Sequence, residues 1–293
     1  MSNIKGYIYA AASSSTFGLA PFFTISLLSS GFSSFEVLTY RWGIASLALG
    51  IFGILLRDTF RIGHKDWGTV FVLSLLRAAT SLSLVIAYQH IANGVASTIH
   101  FMYPLAVALA MMFFFREKKS FSILFAVLVS LAGAALLSSG EIDFKGGNTT
   151  TGLIAATLSV FFYGGYIVGV RKSRAVHIPS TALTCYVMGL GALYFIIGGC
   201  LTGRIQLATG GQTWLNILGL ALPATAISNI TLVKSIKYIG STLTSIFGAL
   251  EPLTAVAIGC LAFKESFTLN SGLGILLILT AVTVVIMHEK KIS

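Results

Sequence analysis

Three charged side chains lie deep inside apolar stretches of the sequence: Arg41, Arg77 and Glu251. A charge in hydrocarbon costs at least about 2.5 to 3.5 kcal/mol, so such residues should face the interior of a helix bundle or a wet cavity. Arg77 lies ten residues after Trp67, about 15 Å along a helix and therefore near the membrane midplane. Arginines in such a cavity can bind a carboxylate, and a buried glutamate can hold an ammonium group or exchange a proton. For Arg41, Arg77 and Glu251, an internal salt bridge or a capped structural charge that binds no ligand is the alternative.

Polar and aromatic residues on helical faces extend this candidate site. Ser97, His100, Phe101 and Pro104 share one face of an apolar stretch, because their spacing matches the turns of a helix. A proline there removes a backbone hydrogen bond and frees a carbonyl that a cavity can use, so Pro104 and the later Pro252 are predicted hinges. Ordinary packing in the bundle core is the alternative for His100 and for the aromatic residues. The remaining predicted substrate-binding residues are Thr16, Phe17, Tyr103, Phe162, Tyr163, Tyr166, Phe247 and Asn229.

Two other observations concern the neighbours of this set. Thr225 and Ser228 lie in the same apolar stretch as Asn229 and are predicted to contribute to the same site. Tyr88 and Gln89 fall at the end of another stretch, where an aromatic anchor at the membrane surface is the favoured interpretation.

Several kinds of chemistry are excluded by what the sequence lacks. It contains no Walker-type glycine loop, which excludes ATP hydrolysis by this chain. Cys185, Cys200 and Cys260 all lie in apolar stretches without metal-ligand spacing. A Ser-His-Asp site is not credible either, because Asp58 and Asp66 fall in a single loop. We therefore predict that the chain is not an enzyme and uses no cofactor and no metal.

The composition is that of an all-α, polytopic membrane protein. Hydrophobic residues make up 56% of the chain, charged residues only 10%, and the mean hydropathy is +0.90; a soluble domain would be about 25% charged. The net charge of +10 does not indicate a nucleic-acid partner, because the basic residues are scattered between apolar stretches. Ten stretches have the roughly twenty residues needed to span a bilayer: 5–28, 34–56, 67–90, 94–115, 121–139, 150–170, 179–201, 213–234, 240–263 and 267–287.

The second half of the chain repeats the first. A shift of 148 positions places Pro104 on Pro252 and Glu117 on Glu265, and a shift of 146 places Ser13 on Ser159. Glu251 thereby takes the place that Tyr103 has in the first half. The repeat predicts two five-helix units, residues 1–145 and 146–293, and in a membrane protein such repeats are typical of transporters with a site between the two units.

The distribution of lysine and arginine predicts the orientation of the chain. With the N-terminus inside, fourteen of these residues fall in inner segments and only Lys145, Arg204 and Lys264 fall outside, as the positive-inside rule requires. Both termini are therefore predicted to be cytoplasmic. Because each unit has an odd number of spans, the second unit enters the membrane upside down, which gives an inverted repeat suited to alternating access.

These features resemble the EamA branch of the drug/metabolite transporter superfamily. The resemblance covers nearly the whole chain and includes the Tyr40-Arg41-Trp42 and Leu250-Glu251-Pro252 triplets and the intramembrane prolines that precede Glu117 and Glu265. It implies a bacterial inner-membrane exporter of amino acids and related metabolites. It also implies a central cavity lined by spans 1 to 4 and 6 to 9, with spans 5 and 10 more peripheral.

The sequence thus predicts a secondary-active or facilitative transporter that exports small metabolites, with amino acids or related zwitterions as the favoured class. Sugar-like or nucleotide-type solutes are the alternative within transport, and a membrane enzyme or a non-transporting subunit is the alternative outside it. The expected partners are a small-molecule substrate, membrane lipid and, if Glu251 or His100 relays them, protons as the coupling ion. The sequence leaves the oligomeric state open.

Overall fold

The structure is a computed structural model that describes residues 2–117, 120–137, 147–202, 206–254, 257 and 268–292. These residues form helices and connecting turns, and no β-strand occurs among them. The predicted all-α class is therefore confirmed. The helices are α1 (Ser2–Phe17), α2 (Ala20–Ser29), α3 (Ser34–Leu55), α4 (Trp67–His90), α5 (Asn93–His100), α6 (Tyr103–Phe114), α7 (Phe121–Leu137), α8 (Thr149–Lys172), α9 (Ser180–Leu201), α10 (Gly211–Ala221), α11 (Ser228–Phe247) and α12 (Leu269–Ile292).

Seven helical segments in the described ranges are long and apolar enough to cross a membrane: Ile4–Ser29, Ser34–Leu55, His64–His90, Val95–Phe114, Thr149–Lys172, Ser180–Leu201 and Gly211–Phe247. Phe121–Gly133 and Gly272–Val284 are shorter apolar helices. The prediction of a membrane-spanning helical protein is thus confirmed. The count of ten helices and their inverted arrangement stay predictions.

Most predicted helix ends agree with the structure to within two residues, but the boundary after residue 234 is wrong. The helix that holds Asn229 continues beyond residue 234 and is interrupted at Gly240, which has φ 85° and ψ 172°. Only glycine adopts this backbone conformation without strain. The chain therefore changes direction at Gly240, and Ser241 begins the helical turns that lead to Glu251.

Prolines interrupt four of the apolar segments. The turn at residues 18–19 precedes Pro21, the turn at residues 101–102 precedes Pro104, and the turn at residues 248–249 precedes Pro252. Pro223 lies instead in a π-helical segment, Leu222–Ile227. A proline has no N–H group and its ring displaces the preceding turn, so each site leaves backbone carbonyls free of the regular helical bonds. The breaks at Pro104 and Pro252 agree with their predicted role as hinges, which itself stays a prediction.

The helices pack in a pattern that relates the two halves of the chain. Helix α1 lies along α11 and α8 lies along α4, while α3 packs against α9 and α7 against α12. In the sequence repeat, α8 is the counterpart of α1, and α11 is the counterpart of α4. The contact of α1 with α11 therefore corresponds to the contact of α8 with α4. The largest buried cluster among the described residues lies mainly between α3, α4, α8, α9 and α11 and includes Trp42, Tyr163 and Phe195.

Some features predicted from the sequence lie outside the described residues. They are the proposed boundary between the two units at residues 145 and 146, the three basic residues Lys145, Arg204 and Lys264, and the part of the second repeat that contains Glu265. Cys260 also lies there, whereas Cys185 and Cys200 are free thiols.

Helices α3 and α9 pack closely at Gly191, so a larger side chain there should lower stability. A Cβ atom added at Gly191 would overlap the six-membered ring of Trp42, which is buried and packs edge-on against Phe195. We expect Gly191→Ala to destabilise the folded protein by about 1–3 kcal/mol, as overpacking of a core does. Thermal unfolding in detergent measures this.

Gly43→Ala is the matched control, because Gly43 lies in α3 and a Cβ atom there would meet nothing within 4 Å. We expect the midpoint of thermal unfolding of this variant to match that of the unmodified protein. Equal midpoints for both variants would contradict the packing described here.

Candidate functional site

Two buried arginines share one aromatic ring at the centre of the bundle. Phe17, at the end of α1, has the Cζ atom of Arg41 at 5.6 Å and that of Arg77 at 5.4 Å from its ring centre. Arg77 also lies over Tyr163 at 4.8 Å and Tyr166 at 5.8 Å. Both arginines are at most 5% exposed, so the cation–π contacts replace part of the hydration that each guanidinium loses.

The Arg41 side chain is held by the π-helical segment. Its Nε donates to Oγ1 of Thr225 at 2.7 Å, and that hydroxyl donates to the carbonyl of Leu220, five residues earlier, at 2.7 Å. Pro223 accompanies the wider turn, because it has no N–H group to complete the regular helix. Such π-helical turns often occur at functional sites.

The Arg77 side chain is held one turn further along. Its Nε donates to Oδ1 of Asn229 at 2.9 Å, and the Asn229 amide donates to the carbonyl of Thr225 at 2.8 Å. Thr225 and Asn229 are 1% exposed. Thr225 in the π-helical segment and Asn229 one turn later therefore anchor the two arginines.

Each guanidinium also has a buried nitrogen without a partner. Nη2 of Arg41 and Nη1 of Arg77 have no hydrogen-bond acceptor among the described residues. No described carboxylate lies within 4 Å of either guanidinium group. The ion pair found among the described residues lies elsewhere and joins the exposed Arg174 to Asp66 at 2.7 Å. The alternative in which Arg41 or Arg77 forms an internal salt bridge therefore does not hold for the described part of the chain.

His100 also contacts Tyr163. Its Nδ1 is 2.9 Å from the Ser159 hydroxyl, and its ring stacks on Tyr163 with 5.3 Å between centres. Its Nε2 is buried and has no described partner. Tyr103 completes this group, because its ring lies 5.4 Å from that of His100 and 4.6 Å from that of Tyr163.

Tyr103 connects the group to Glu251. Its hydroxyl donates to Oε1 of Glu251 at 3.2 Å, and both residues are at least 96% buried. The two residues are 148 positions apart, which is the shift that relates the two halves of the sequence. A Cβ atom at Gly248 would overlap the Tyr103 hydroxyl, so the glycine makes this approach possible.

A small cavity lies next to Arg41. Its walls come from α1, α2, α3 and α4, and its volume of about 20 Å³ has room for a water molecule or two. The lining residues are Phe17, Ala20, Pro21, Thr24, Arg41, Ser81, Leu84, Val85 and Tyr88.

The structure brings nine of the predicted site residues together: Arg41, Arg77, His100, Tyr103, Tyr163, Tyr166, Glu251, Phe17 and Asn229. Phe101 is the immediate neighbour of His100 and is half-buried against the main core. Their assignment to substrate binding stays a prediction, since contacts with one another do not test binding.

Three predicted residues lie apart from this group. Thr16 donates its hydroxyl to the Ala12 carbonyl of its own helix at 2.7 Å. Phe162 precedes Tyr163 in α8, lies on a different face of that helix and is half-buried. Phe247 stacks on Tyr7 at 5.5 Å and packs with Ala10 and Val282 in another cluster.

Sequence reasoning missed one wall of the cavity. Ser81, Leu84, Val85 and Tyr88 line it from α4, on the same helical face as Arg77. Tyr88 is 8% exposed and is therefore a buried wall residue, not the surface anchor that its position in the sequence favoured. The signal was the spacing of Arg77, Ser81, Leu84 and Tyr88, which matches successive turns of one helix.

Comparison with known proteins gives the family. The model of the EamA-like transporter family matches residues 4–139 and again residues 150–287. An uncharacterized transporter of Archaeoglobus fulgidus is 25% identical over 236 residues, which are 80% of this chain and 81% of that protein. The uncharacterized transporter YdfC of Bacillus subtilis is 25% identical over 248 residues, 83% of this chain and 79% of YdfC.

The uncharacterized inner membrane transporter YicL of Salmonella typhimurium is 23% identical over 229 residues, 78% of this chain and 76% of YicL. One solved structure, described only as the crystal structure of a protein, superposes with a TM-score of 0.79 at 17% identity and covers 97% of this chain and 96% of that one. That likeness concerns the fold alone. Since the family model matches nearly the whole chain, this protein belongs to the EamA-like transporter family and is a membrane transporter.

Proposed function

We propose that this chain exports small metabolites, amino acids or related zwitterions, through the cytoplasmic membrane of a bacterium by alternating access. The observation that carries the proposal is the pair of buried guanidinium groups with unpartnered nitrogens, Arg41 and Arg77. The rings of Tyr163 and Tyr103 lie between Arg77 and the Glu251 carboxyl. Buried polar groups are normally paired, so these donors are suited to the carboxylate of a solute. Aromatic rings around them suit its apolar part.

The moving parts are two inverted five-helix units, residues 1–145 and 146–293. Helix α1 packs against α11 in the same way that its counterpart α8 packs against α4, and this symmetry supports the arrangement. The two separate matches of the family model support it as well. Inverted repeats let the same contacts close either side of a central site in turn. Pro104 and Pro252 stand at the breaks where the inner helices can bend.

The Tyr103–Glu251 hydrogen bond lies between these units. When the units move apart, this bond has to lengthen or break, which frees the Glu251 carboxylate for a proton or for a substrate ammonium group. Proton coupling is therefore one mode of transport, and facilitated diffusion is the mode that needs no such exchange.

Cysteine labelling tests the orientation. In a chain whose own cysteines are replaced, single cysteines at Thr150 and Gln212 should react with a membrane-impermeant maleimide from outside, whereas those at Lys65 and Ser173 should react only after permeabilisation. The charge distribution is the physical reason. The reverse pattern would contradict the proposed topology.

Transport into proteoliposomes tests the function. We expect uptake of amino acids from a metabolite panel, and we expect Arg77→Ala to reduce it at least tenfold in a protein that stays folded and monodisperse, because the variant lacks a donor for the solute. Its thermal stability should fall, since the contacts with Asn229 and Tyr163 are lost. Arg174→Ala is the matched control, since Arg174 is 58% exposed. Normal transport by Arg77→Ala, or no uptake of any solute by the unmodified chain, would refute the proposal.

Glu251→Gln tests coupling, because it keeps the shape of the side chain and removes its charge. If Glu251 carries protons, the variant should exchange substrate between two pools but lose its response to a pH gradient; if Glu251 binds the ammonium group, substrate affinity should fall. Counterflow, net flux and affinity are measured together. Behaviour like that of the unmodified chain in all three would mean that Glu251 is only a helix–helix contact.

A further inference from the structure

The charges in the buried site do not balance. Four residues with ionisable acidic or strongly basic side chains are buried among the described residues: Glu36, Arg41, Arg77 and Glu251. Glu36 is engaged elsewhere, because its carboxylate accepts the backbone N–H groups of Ser33 and Gln206. The site proper therefore contains two guanidinium groups and one carboxyl group, and its net charge is positive even when Glu251 is ionised and His100 is neutral.

A zwitterion does not remove this excess. Its own charges cancel, so a site that holds it remains positive by one charge when Glu251 is ionised and by two when Glu251 is protonated. Uncompensated charge in a low-dielectric interior is costly, and two guanidinium groups around one phenyl ring also repel each other. A solute with a net negative charge offsets both effects.

The geometry fits such a solute. The anchored Nε atoms leave Nη2 of Arg41 and Nη1 of Arg77 as donors on two helices, α3 and α4, next to the same ring of Phe17. Arginine is the residue best suited to paired hydrogen bonds with a carboxylate. Two fixed donors at separate positions can bind two anionic groups of one solute, or one anionic group from both sides.

We infer that the transported solute is a small carboxylate with a net negative charge, such as an acidic amino acid or a dicarboxylate, and that Arg41 and Arg77 together select it. This rests on the proposed function and narrows its substrate class. Glu251 remains available for an ammonium group where the solute has one. Neutral amino acids of the same size are then poor substrates.

Matched pairs of probes test the inference on the unmodified chain. Glutamate and glutamine have nearly the same shape and differ by one charge, as do aspartate and asparagine. We expect glutamate or aspartate to compete for transport in proteoliposomes at least tenfold better than its neutral amide partner, which is about 1.4 kcal/mol. Equal competition within either pair, or a preference for glutamine, would overturn the inference.

Charge-removing variants test the assignment to the two arginines. We expect Arg41→Gln and Arg77→Gln each to reduce the preference for the more anionic probe at least fivefold, and Arg174→Gln at the exposed ion pair to leave it unchanged. An unchanged preference in both site variants would overturn the assignment. If one variant fails to fold, the other and the probe pairs on the unmodified chain still decide.

The outcome also separates this inference from the proposed function. Transport of neutral amino acids with no preference for acidic ones would refute the net-charge selection and leave the transporter proposal intact. If the protein transported no carboxylate-containing solute, whether zwitterionic or net negative, both proposals would be refuted.

Discussion

The burial of two arginines that form no ion pair with a described carboxylate is the constraint on which the rest of the site depends. In a bundle whose surface is apolar, each guanidinium has lost its water and has to be supported by neutral groups. The protein meets this need with Thr225, Asn229 and the faces of Phe17 and Tyr163. The supporting residues come from helices of both halves, so the position of the cations depends on how the halves pack.

The π-helical segment is the device that makes this support possible. A regular helix through residues 222–227 would bond every carbonyl to the N–H four residues later, and Pro223 prevents this. The wider turn lets Thr225 bond back to Leu220 while it accepts from Arg41, and it lets Asn229 bond back to Thr225 while it accepts from Arg77. The irregular segment between α10 and α11 thus lies where the cations need acceptors.

The contact between Tyr103 and Glu251 gives the site its relation to the repeat. Residues in equivalent positions of two copies touch each other only near the axis that relates the copies. Their separation of 148 positions equals the shift between the two halves of the sequence, so this bond joins residues that the sequence repeat makes equivalent. The two halves are chemically unequal there, because a phenol in one copy faces a carboxyl group in the other.

Much of this could be predicted from the sequence, for a simple reason. Long apolar stretches have to become helices in a membrane, because only a helix satisfies its own backbone hydrogen bonds there. The ends of α3, α4 and α9 follow from the charged and turn residues beside them. The same cost of burial identifies Arg41, Arg77 and Glu251 as interior residues, since a charge that faced lipid would be expelled.

Only the tertiary structure decided which side chains meet. Phe247 and Tyr163 both have a helical spacing that suits a cavity wall, yet Phe247 packs against Tyr7 and Tyr163 packs under Arg77. Tyr88 lies at the end of an apolar stretch and is nevertheless buried in the cavity wall. Helical periodicity fixes the face on which a residue lies but not the helix that this face contacts, which depends on crossing angles and on breaks such as those at Gly240 and Pro223. The sequence by itself therefore determined the helices and their buried charges, and the packing of the two halves decided that the arginines would share a ring and form no ion pair with the carboxylates in the described part of the chain.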